Sequence, residues 1–385
     1  MNRNTEKRPA VFVATDSAME STSGGIQIFT REYQLILQMA GFHLNNILFS
    51  PSNGLREKIM RRIDRNPYRY FIPEYLANQV LSFCQSKEVS TVFLNGEDLA
   101  PLSEVLKKKQ PDLQVILLSY GLESADYLHE IRTRSWRSDF SRVRSSHVSR
   151  LGRLLVEESK HRRSVDAVLC MSDFEAEIEN WIGAKKVLVV PRLISLIPFE
   201  WDPMLGRVGF VGRLDHPPNL EGLRLVLEEL KGRCPVDFKL RIVGAPSRFG
   251  ASLSRQFPFV EYLGVLSEQD LHLEAKTWSC SMNPVFCYAR GASTKLAVLL
   301  GWGLPVITTL EGMRGYEWGA DIPIVADSPK EFAKALLSLA FDARKRNEAK
   351  AGVRRICESS VTADRIAKRI SEFLLSLPHN HTESY

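Results

Sequence analysis

The stretch Arg207-Val-Gly-Phe-Val-Gly-Arg-Leu-Asp-His-Pro-Pro-Asn-Leu-Glu-Gly-Leu-Arg224 decides how this chain folds. It opens with a short apolar run that predicts a buried strand, and Gly212 and the following proline pair indicate a turn. Leucine and valine then recur at helical spacing, with Asn219 where a helix N-cap is expected. The turn therefore places Arg213 between a strand end and a helix start, where free N–H groups favour a phosphate.

Length and composition limit the possible classes of protein. The 385 residues predict two domains, and 51 Lys+Arg against 45 Asp+Glu give a formal net charge of +6, which fits an anionic ligand or an anionic membrane surface. The six cysteines are scattered without a C-x-x-C pair, which argues against a zinc site and a disulfide framework and fits a reducing cytoplasm. The first residues carry no apolar core of a signal peptide, and the longest apolar run is too short to span a bilayer. We therefore predict a cytoplasmic protein, soluble or peripherally attached to the inner face of a membrane.

Short apolar runs alternate with helical patterns along most of the chain, which predicts parallel sheets of the α/β class. We expect an N-terminal Rossmann-like domain over residues 1–192, a linker over 193–206 and a second Rossmann-like domain over 207–360. Residues 361–385 are expected to form a last helix that crosses back to the first domain, followed by a tail. The predicted architecture is two parallel sheets facing each other across a cleft.

Two further stretches carry more than one interpretation. The segment from Leu55 to Arg69 is basic and amphipathic, so it either lies on an anionic membrane or forms a solvated helix packed on its domain, which we favour. Residues 130–163 are crowded with arginine, with Trp136 and Phe140 between. Nucleic-acid binding is one interpretation, but the stretch has no recognisable nucleic-acid motif, so we favour helices that cover the first domain with some arginines facing the cleft.

Glycine-rich loops before two predicted helices indicate ligand binding. Gly24 and Gly25 precede a helix near the N-terminus, either to let a ligand approach or only to make a tight turn; the Gly-x-Gly-x-x-Gly fingerprint is absent. In the second domain, a loop of small residues from Arg290 leads to Lys295 at a predicted helix start. A lysine is unfavourable there unless an anion such as a diphosphate compensates it, although a long-stemmed surface lysine is the alternative. P-loop, G-x-S-x-G and H-E-x-x-H motifs are absent, which excludes those nucleotide hydrolases, esterases and zinc proteases.

These stretches resemble the GT-B glycosyltransferases of the family-4 (group 1) type, which use nucleotide-sugar donors. The strands at 165–172 and 187–191 also fall in the family's order, so the resemblance spans roughly residues 10–340. It implies catalytic roles for Arg213, Lys295, Glu123 and Tyr120. It implies donor contacts by Gly24, Gly25, Gly212, Asn219, Gly244, Arg290, Gly291, Ser293 and Thr294.

The chain also departs from the family. Arg290 and Val298 stand where the family has two acidic residues, Asn219 stands near its second basic phosphate ligand, and Tyr120 replaces a cleft histidine. Our leading hypothesis is a glycosyltransferase with a nucleotide-sugar co-substrate and a glycan, lipid-linked or protein-linked acceptor. We expect it to need no cofactor or metal, since D-x-D is absent, and the resemblance implies retention of anomeric configuration. The alternative is a catalytically silent GT-B subunit that stabilises a partner glycosyltransferase, and a nucleic-acid binder ranks below both.

Overall fold

The computed structural model describes residues 7–20, 24–51, 54, 68, 72–136, 144–197, 199–288 and 290–378. The chain divides into two compact units, Met1–Pro191 with Thr362–Tyr385 and Arg192–Val361. Within these described ranges, each unit holds one sheet of six strands, and all the strand pairs are parallel. The predicted α/β class with two parallel sheets is confirmed.

The sheet of the first unit has the strand order β2-β1-β3-β4-β5-β6. Its strands are β1 (Arg8–Thr15), β2 (Phe42–Phe49), β3 (Thr91–Asn95), β4 (Gln114–Leu118), β5 (Ala167–Cys170) and β6 (Val187–Val189). The central strands are buried along nearly their whole length, as expected where helices cover both faces of a parallel sheet. The strand order reverses between β1 and β3, so the loops after these two strands border a crevice.

The helices of the first unit follow its strands, and the last helix of the chain joins them. They are α1 (Asp16–Met19), α2 (Gly25–Met39), α3 (Glu74–Ser86), α4 (Leu102–Lys109), α5 (Glu123–Trp136), α6 (Ser145–Ser164), α7 (Asp173–Ile182) and α14 (Ala363–Leu375). Helix α14 packs against α2 and buries Ile366, Ile370 and Leu374. This apolar stripe at helical spacing holds the end of the chain on the first unit.

The sheet of the second unit has the order β12-β11-β10-β7-β8-β9. Its strands are β7 (Arg207–Val211), β8 (Lys239–Val243), β9 (Val260–Gly264), β10 (Cys280–Asn283), β11 (Val306–Thr308) and β12 (Ile324–Val325). Its helices are α8 (Pro217–Leu230), α9 (Ser247–Gln256), α10 (Glu268–Ala275), α11 (Thr294–Gly301), α12 (Pro329–Phe341) and α13 (Ala343–Ser359). Here the order reverses between β7 and β10.

Helix α8 lies unusually close to the loop that follows β10. A Cβ atom at Gly222 would lie 1.6 Å from the carbonyl oxygen of Pro284, so only glycine allows this approach. The contact brings the start of α8 and the loop before α11 to the same edge of the sheet.

Several local predictions are wrong or incomplete. Helix α8 begins at Pro217 with His216 at its N-cap, so Asn219 lies inside the first turn; proline suits this first position because it needs no N–H donor there. Residues 15–25, whose serine, threonine and glycine content predicts a polar loop, contain the short α1. The alanine-, lysine- and leucine-rich stretch over 330–357 is helical, as its composition predicts, and it forms two helices because Asp342 ends α12 and its side chain caps α13 through the N–H of Lys345.

Arg192, which we expected to end the first domain, and Ile197, which we expected in the linker, are hydrogen-bonded within the second unit. The N–H of Arg192 donates to Gly315 O at 2.8 Å, and that of Ile197 donates to Gly301 O at 2.7 Å. The basic segment 55–69 lies outside the described residues except for Tyr68, as does 137–143 of the arginine-rich stretch. Within the described ranges, every helix is too short or too polar to cross a lipid bilayer.

Candidate functional site

The reversal of strand order between β7 and β10 defines the candidate site of the second unit. The two strands pair through Val208–Cys280 and Gly209–Ser281, so the loops after them leave the sheet side by side. The described residues of these loops are 212–216 in the first and 284–288 and 290–293 in the second. Open α/β sheets bind ligands in the crevice at this point. The predicted residues Arg213 and Arg290 lie in these two loops, and Asn219 and Lys295 lie in the first turns of the helices that follow them.

Lys295 and Asn219 join the two helix starts. The Nζ atom of Lys295 donates a hydrogen bond to Oδ1 of Asn219, and Nδ2 of Asn219 donates to the carbonyl oxygen of Arg213 at 2.8 Å. The same ammonium lies 5.1 Å from the centre of the Phe210 ring. In the described part of the chain, no carboxylate forms an ion pair with Lys295. Lys295 and Asn219, each predicted as a site residue, therefore come together, and Asn219 is a buried residue that links Lys295 to the Arg213 loop rather than a helix cap.

The surroundings of Lys295 and His216 disfavour the protonated, positively charged forms of both side chains. Burial lowers the pKa of the Lys295 ammonium to about 7. Desolvation by surrounding atoms, and then the positive charges of Lys295 and Arg290, lower the pKa of His216 to about 4, although part of this ring is exposed. His216 is thus neutral near pH 7, and the field at the start of α8 is positive. A bound anion would relieve this repulsion.

Arg213 is held differently from the expected free phosphate ligand. Its Nε and Nη2 atoms donate to the two carboxylate oxygens of Asp215 at 2.9 and 2.6 Å, while its side chain remains 77% exposed. Hydrogen bonding and charge raise the pKa of Arg213 and lower that of Asp215. Exposed pairs of this kind contribute only about 0–1 kcal/mol, so a phosphate can compete for the guanidinium.

The helices of the second unit differ in how their N-terminal ends are capped. Among the described residues, no side chain caps α8, α9 or α11. Ser267, Ser328 and Asp342 cap α10, α12 and α13 in the same unit. The N–H groups of Thr294 and Lys295 at the start of α11 can therefore meet a ligand at the positive end of the helix dipole. Helix α8 begins with two prolines, which have no N–H, and the N–H groups of Asn219 and Leu220 donate to His216 O.

Backbone contacts bring the glycine loops of the site together. Gly244 follows β8 with φ +146, and a Cβ atom there would lie 1.9 Å from the carbonyl oxygen of Gly212. The N–H of Gly212 donates to Val243 O at 3.0 Å, and that of Leu214 to Ala245 O at 2.6 Å. The loop carrying Arg213 thus depends on the missing side chain of Gly244.

The loop before α11 is fixed by polar contacts. Oγ of Ser293 donates to Oδ1 of Asn283 at 3.1 Å, and Nη1 of Arg192 donates to Oγ1 of Thr294 at 3.5 Å. Gly291 has φ +72, and the Arg290 side chain is half-buried. Sequence reasoning missed Arg192 because it lies far from the donor loop along the chain.

The predicted residues of the first unit form a separate group at its own strand reversal. The hydroxyl of Tyr120 donates to Oδ1 of Asn95 at 2.5 Å and lies 3.2 Å from Oγ1 of Thr30, to which Nδ2 of Asn95 donates at 2.9 Å. Gly24 and Gly25, both exposed, are the N-cap and first residue of α2, which also carries Thr30. We missed Thr30 and Asn95; the signal for Asn95 was a polar residue ending an otherwise apolar strand.

Glu123 begins α5, three residues after Tyr120, and its side chain is half-buried. Glu123 is therefore close to Tyr120 along the chain. The group around Tyr120 lies in the first unit, and the group around Lys295 lies in the second.

A buried charge network supports the Tyr120 loop. Arg162 donates to Glu97 at 2.6 Å and to both carboxylate oxygens of Glu179 at 2.8 and 3.0 Å. Glu97 also accepts the N–H of Tyr120 at 3.0 Å, and Ser119 donates to Glu179 at 2.6 Å. Burial raises the pKa of Glu97 to about 7, and Arg162 opposes this rise. From the sequence we expected this stretch to form helices that cover the first domain with some arginines facing the cleft, and Arg162 was not singled out.

One cluster in the first unit has ligand atoms close enough for a metal ion. Atoms of Glu104, Glu157 and His161 lie within 4.8 Å of one another. Lys160 already pairs with Glu104 at 2.7 Å, and Tyr68 is hydrogen-bonded to Nδ1 of His161 at 2.9 Å. These partners account for the cluster as an ion-pair network.

The chain is similar to known proteins in part of its sequence and in its fold. Residues 206–342 match the family "Glycosyl transferases group 1". A sucrose-phosphate synthase from Thermosynechococcus elongatus has a TM-score of 0.64 at 14% identity, covering 96% of this chain and 99% of that one. HepE of Anabaena, solved with UDP-glucose, has a TM-score of 0.62 at 14% identity, covering 96% and 100%. A glycosyltransferase from Rickettsia africae has a TM-score of 0.61 at 13% identity, covering 97% and 100%. No curated protein sequence matches the chain.

The two six-stranded parallel sheets and the likeness to these structures define a protein with the GT-B fold. Within this fold, residues 206–342 match the group 1 glycosyltransferase family. The resemblance found in the sequence is confirmed for the GT-B fold and for the family match over these residues.

Proposed function

We propose that this chain transfers a sugar from a nucleoside diphosphate sugar to a hydroxyl group of a glycan, lipid-linked or protein-linked acceptor, without a metal ion. One observation carries the proposal. Lys295 lies at the strand reversal in the uncapped first turn of α11, is hydrogen-bonded to Asn219 in the first turn of α8, and forms no ion pair with a carboxylate of the described residues. A diphosphate supplies the negative charge and the acceptor oxygens that this ammonium and the N–H groups at the helix start would bind.

The chemistry requires stabilisation of the leaving diphosphate. As the glycosidic bond to the donor phosphate breaks, negative charge grows on the phosphate oxygen, and fixed positive groups aimed there lower the barrier. In our proposal Lys295 and the N–H groups of α11 contact one phosphate. Arg213 leaves Asp215 to contact the other, since this exposed pair is weak. In this proposal the transferred sugar keeps the anomeric configuration that it has in the donor.

The first unit supplies the acceptor side in this proposal. The Tyr120 hydroxyl, fixed by Asn95 and Thr30, offers a hydrogen-bonding group suited to a sugar or other hydroxyl. Gly24 and Gly25 leave the start of α2 without side chains, so that backbone N–H groups can approach a ligand. In this proposal Glu123, three residues after Tyr120, is the carboxylate that accepts the proton of the acceptor hydroxyl.

A thermal-shift screen tests the donor site. We expect one nucleoside diphosphate among UDP, GDP, ADP, dTDP and CDP to raise the melting temperature by a few degrees, because a ligand that binds only the folded state stabilises it. UDP is tested first, since HepE was solved with UDP-glucose. The shift should be lost in Lys295→Ala and reduced in Arg213→Ala. Lys276→Ala is the control, because Lys276 pairs with Glu200 at the far end of α10.

The possible outcomes separate the hypotheses. If no nucleotide shifts the melting temperature, or if Lys295→Ala responds like the wild type, the proposed donor site is wrong. Nucleotide binding without sugar transfer or donor hydrolysis would favour the silent subunit. Release of the nucleoside diphosphate from its sugar, measured by coupled assay, would favour the enzyme.

Nucleotide affinity should fall as the pH rises above neutrality. The pKa of Lys295 is lowered to about 7, so below this pH the free protein carries the ammonium that the diphosphate needs, and above it the amine must first take up a proton. Between this pKa and the higher one in the complex, Kd should rise by up to roughly tenfold per pH unit. The last proton of the ligand phosphate is lost at about pH 6, so the charge of the phosphate is constant over this range.

Isothermal titration between pH 7 and pH 9 measures this dependence. The matched control is Lys295→Arg, which keeps a positive charge at all these pH values and should show a nearly flat profile. An equally steep profile in Lys295→Arg would show that another group is responsible.

A further inference from the structure

The hydroxyl of Tyr316 lies inside the first turn of α11. It donates a hydrogen bond to the carbonyl oxygen of Ser293 and accepts one, at 3.0 Å, from the N–H of Ala297. In a regular helix these two backbone groups bond directly, because the N-cap carbonyl accepts the N–H four residues later. At α8 this regular bond is present: Leu220 N–H donates to His216 O at 3.1 Å. A side chain has therefore entered the hydrogen-bond ladder at the start of α11.

The insertion is firmly supported by its surroundings. The N–H of Arg192 donates to the carbonyl oxygen of Gly315, next to Tyr316, while the Arg192 side chain donates to Thr294. The Trp318 ring lies 5.1 Å from the Tyr316 ring, and its Nε1 donates to Met313 O at 3.0 Å. The residues around Tyr316 and the turn that it enters are thus held by a common set of contacts.

The opened turn carries the residues that matter for the site. Thr294 and Lys295 are the first two residues of α11, between the two groups that Tyr316 bridges. Their N–H groups and the Lys295 side chain take their direction from this turn. The remaining 3₁₀-type bond, from Leu296 N–H to Ser293 O at 3.0 Å, shows the tighter path that the backbone follows here.

We propose that Tyr316 is a positioning residue whose hydroxyl, inserted between Ser293 and Ala297, sets where Lys295 lies against Asn219 and the diphosphate. The part that concerns the diphosphate rests on the proposed function. Without the hydroxyl, Ala297 N–H can reach Ser293 O directly, the first turn closes, and Lys295 leaves its buried place beside Asn219. Tyr316 itself contacts neither reacting atom in this proposal.

The first test does not depend on any nucleotide. Lys295 of the full chain is labelled with acetic anhydride over a pH series, and its acetylation is read by mass spectrometry to give the pH midpoint of the free amine. We expect a midpoint near 7 in the wild type. In Tyr316→Phe it should move toward the ordinary lysine value by about one pH unit or more, because the amine gains solvent. Tyr262→Phe is the matched control, since it loses one hydroxyl bond, to Gly244 O at 2.8 Å, that does not involve α11.

The second test measures UDP binding. Tyr316→Phe should raise the Kd about tenfold through misplacement of Lys295, while its melting temperature stays close to that of the wild type. An unchanged acetylation midpoint in Tyr316→Phe would overturn the positioning role. An equal shift of the acetylation midpoint in Tyr262→Phe would also overturn it. A wild type that binds no nucleotide but whose midpoint moves in Tyr316→Phe would overturn the proposed function and leave the positioning role supported.

Discussion

An Arg162→Met variant is expected to lose about 3–5 kcal/mol of unfolding free energy, the largest single effect among our predictions. The guanidinium is fully buried and donates to two buried carboxylates, Glu97 and Glu179. Methionine fills similar space but leaves two acidic groups in an apolar environment, where at least one must be protonated or solvated. Because Glu97 accepts the N–H of Tyr120, the loss should also release the loop that carries Tyr120.

Chemical denaturation followed by circular dichroism measures this loss. Arg163→Met is the matched control: it lies one residue away on α6, is exposed, and bonds Ser159 at 3.1 Å. It should change the free energy of unfolding by less than about 0.5 kcal/mol. Adding Glu97→Gln and Glu179→Gln to Arg162→Met should restore part of the stability, since the uncompensated charges are then gone. A single Arg162→Met variant within about 1 kcal/mol of the wild type would contradict the account.

A Gly244→Ala variant should lose about 3 kcal/mol or more and its nucleotide binding as well. The added Cβ would lie 1.9 Å from the carbonyl oxygen of Gly212, and the backbone at φ +146 is strained for any L residue. The new Cβ atom and the Gly212 carbonyl oxygen that it meets are both fixed to the backbone, so the clash cannot be relieved by moving a flexible side chain. The loops after β7 and β8 must therefore separate. The loop that moves is the one that carries Arg213.

The control for Gly244→Ala isolates the clash from the strain. Gly264 also has a positive φ, +78, but a Cβ there meets nothing within 4 Å. Gly264→Ala should therefore cost about 1–2 kcal/mol and keep nucleotide binding. Thermal melting and the UDP titration measure both variants. Equal losses in the two would show that backbone strain, rather than contact with Gly212, makes Gly244 necessary.

Local patterns predicted the elements whose causes are local. The strand over 208–211 and the helix over 294–301 follow from apolar runs bounded by glycine and proline, and they placed Arg213 and Lys295 correctly at a strand end and a helix start. Asn219 was assigned to the wrong helix position because a proline pair can itself start a helix. Asp342 was overlooked inside a run of good helix formers, although an aspartate cap was the visible signal.

Contacts between distant parts of the chain could not be predicted. Arg162 meets Glu97 across 65 residues, and Lys295 meets Asn219 across 76. Periodicity describes which face of a helix is buried, but it does not say which buried charges meet. The same holds for Tyr316, whose hydroxyl enters a turn 19 residues before it. These positions depend on the sheet order, which decides which loops become neighbours.

The path of the chain between the units has a further consequence. It passes from the first unit to the second at Pro191 and returns at Thr362, so a protease cut near residue 191 would produce a second fragment that carries α14. That fragment ends in the apolar stripe of Ile366, Ile370 and Leu374, which packs on α2 of the first fragment. The two pieces would therefore remain associated after cleavage and could be produced separately and recombined, as a split protein whose halves recognise each other through their last helix.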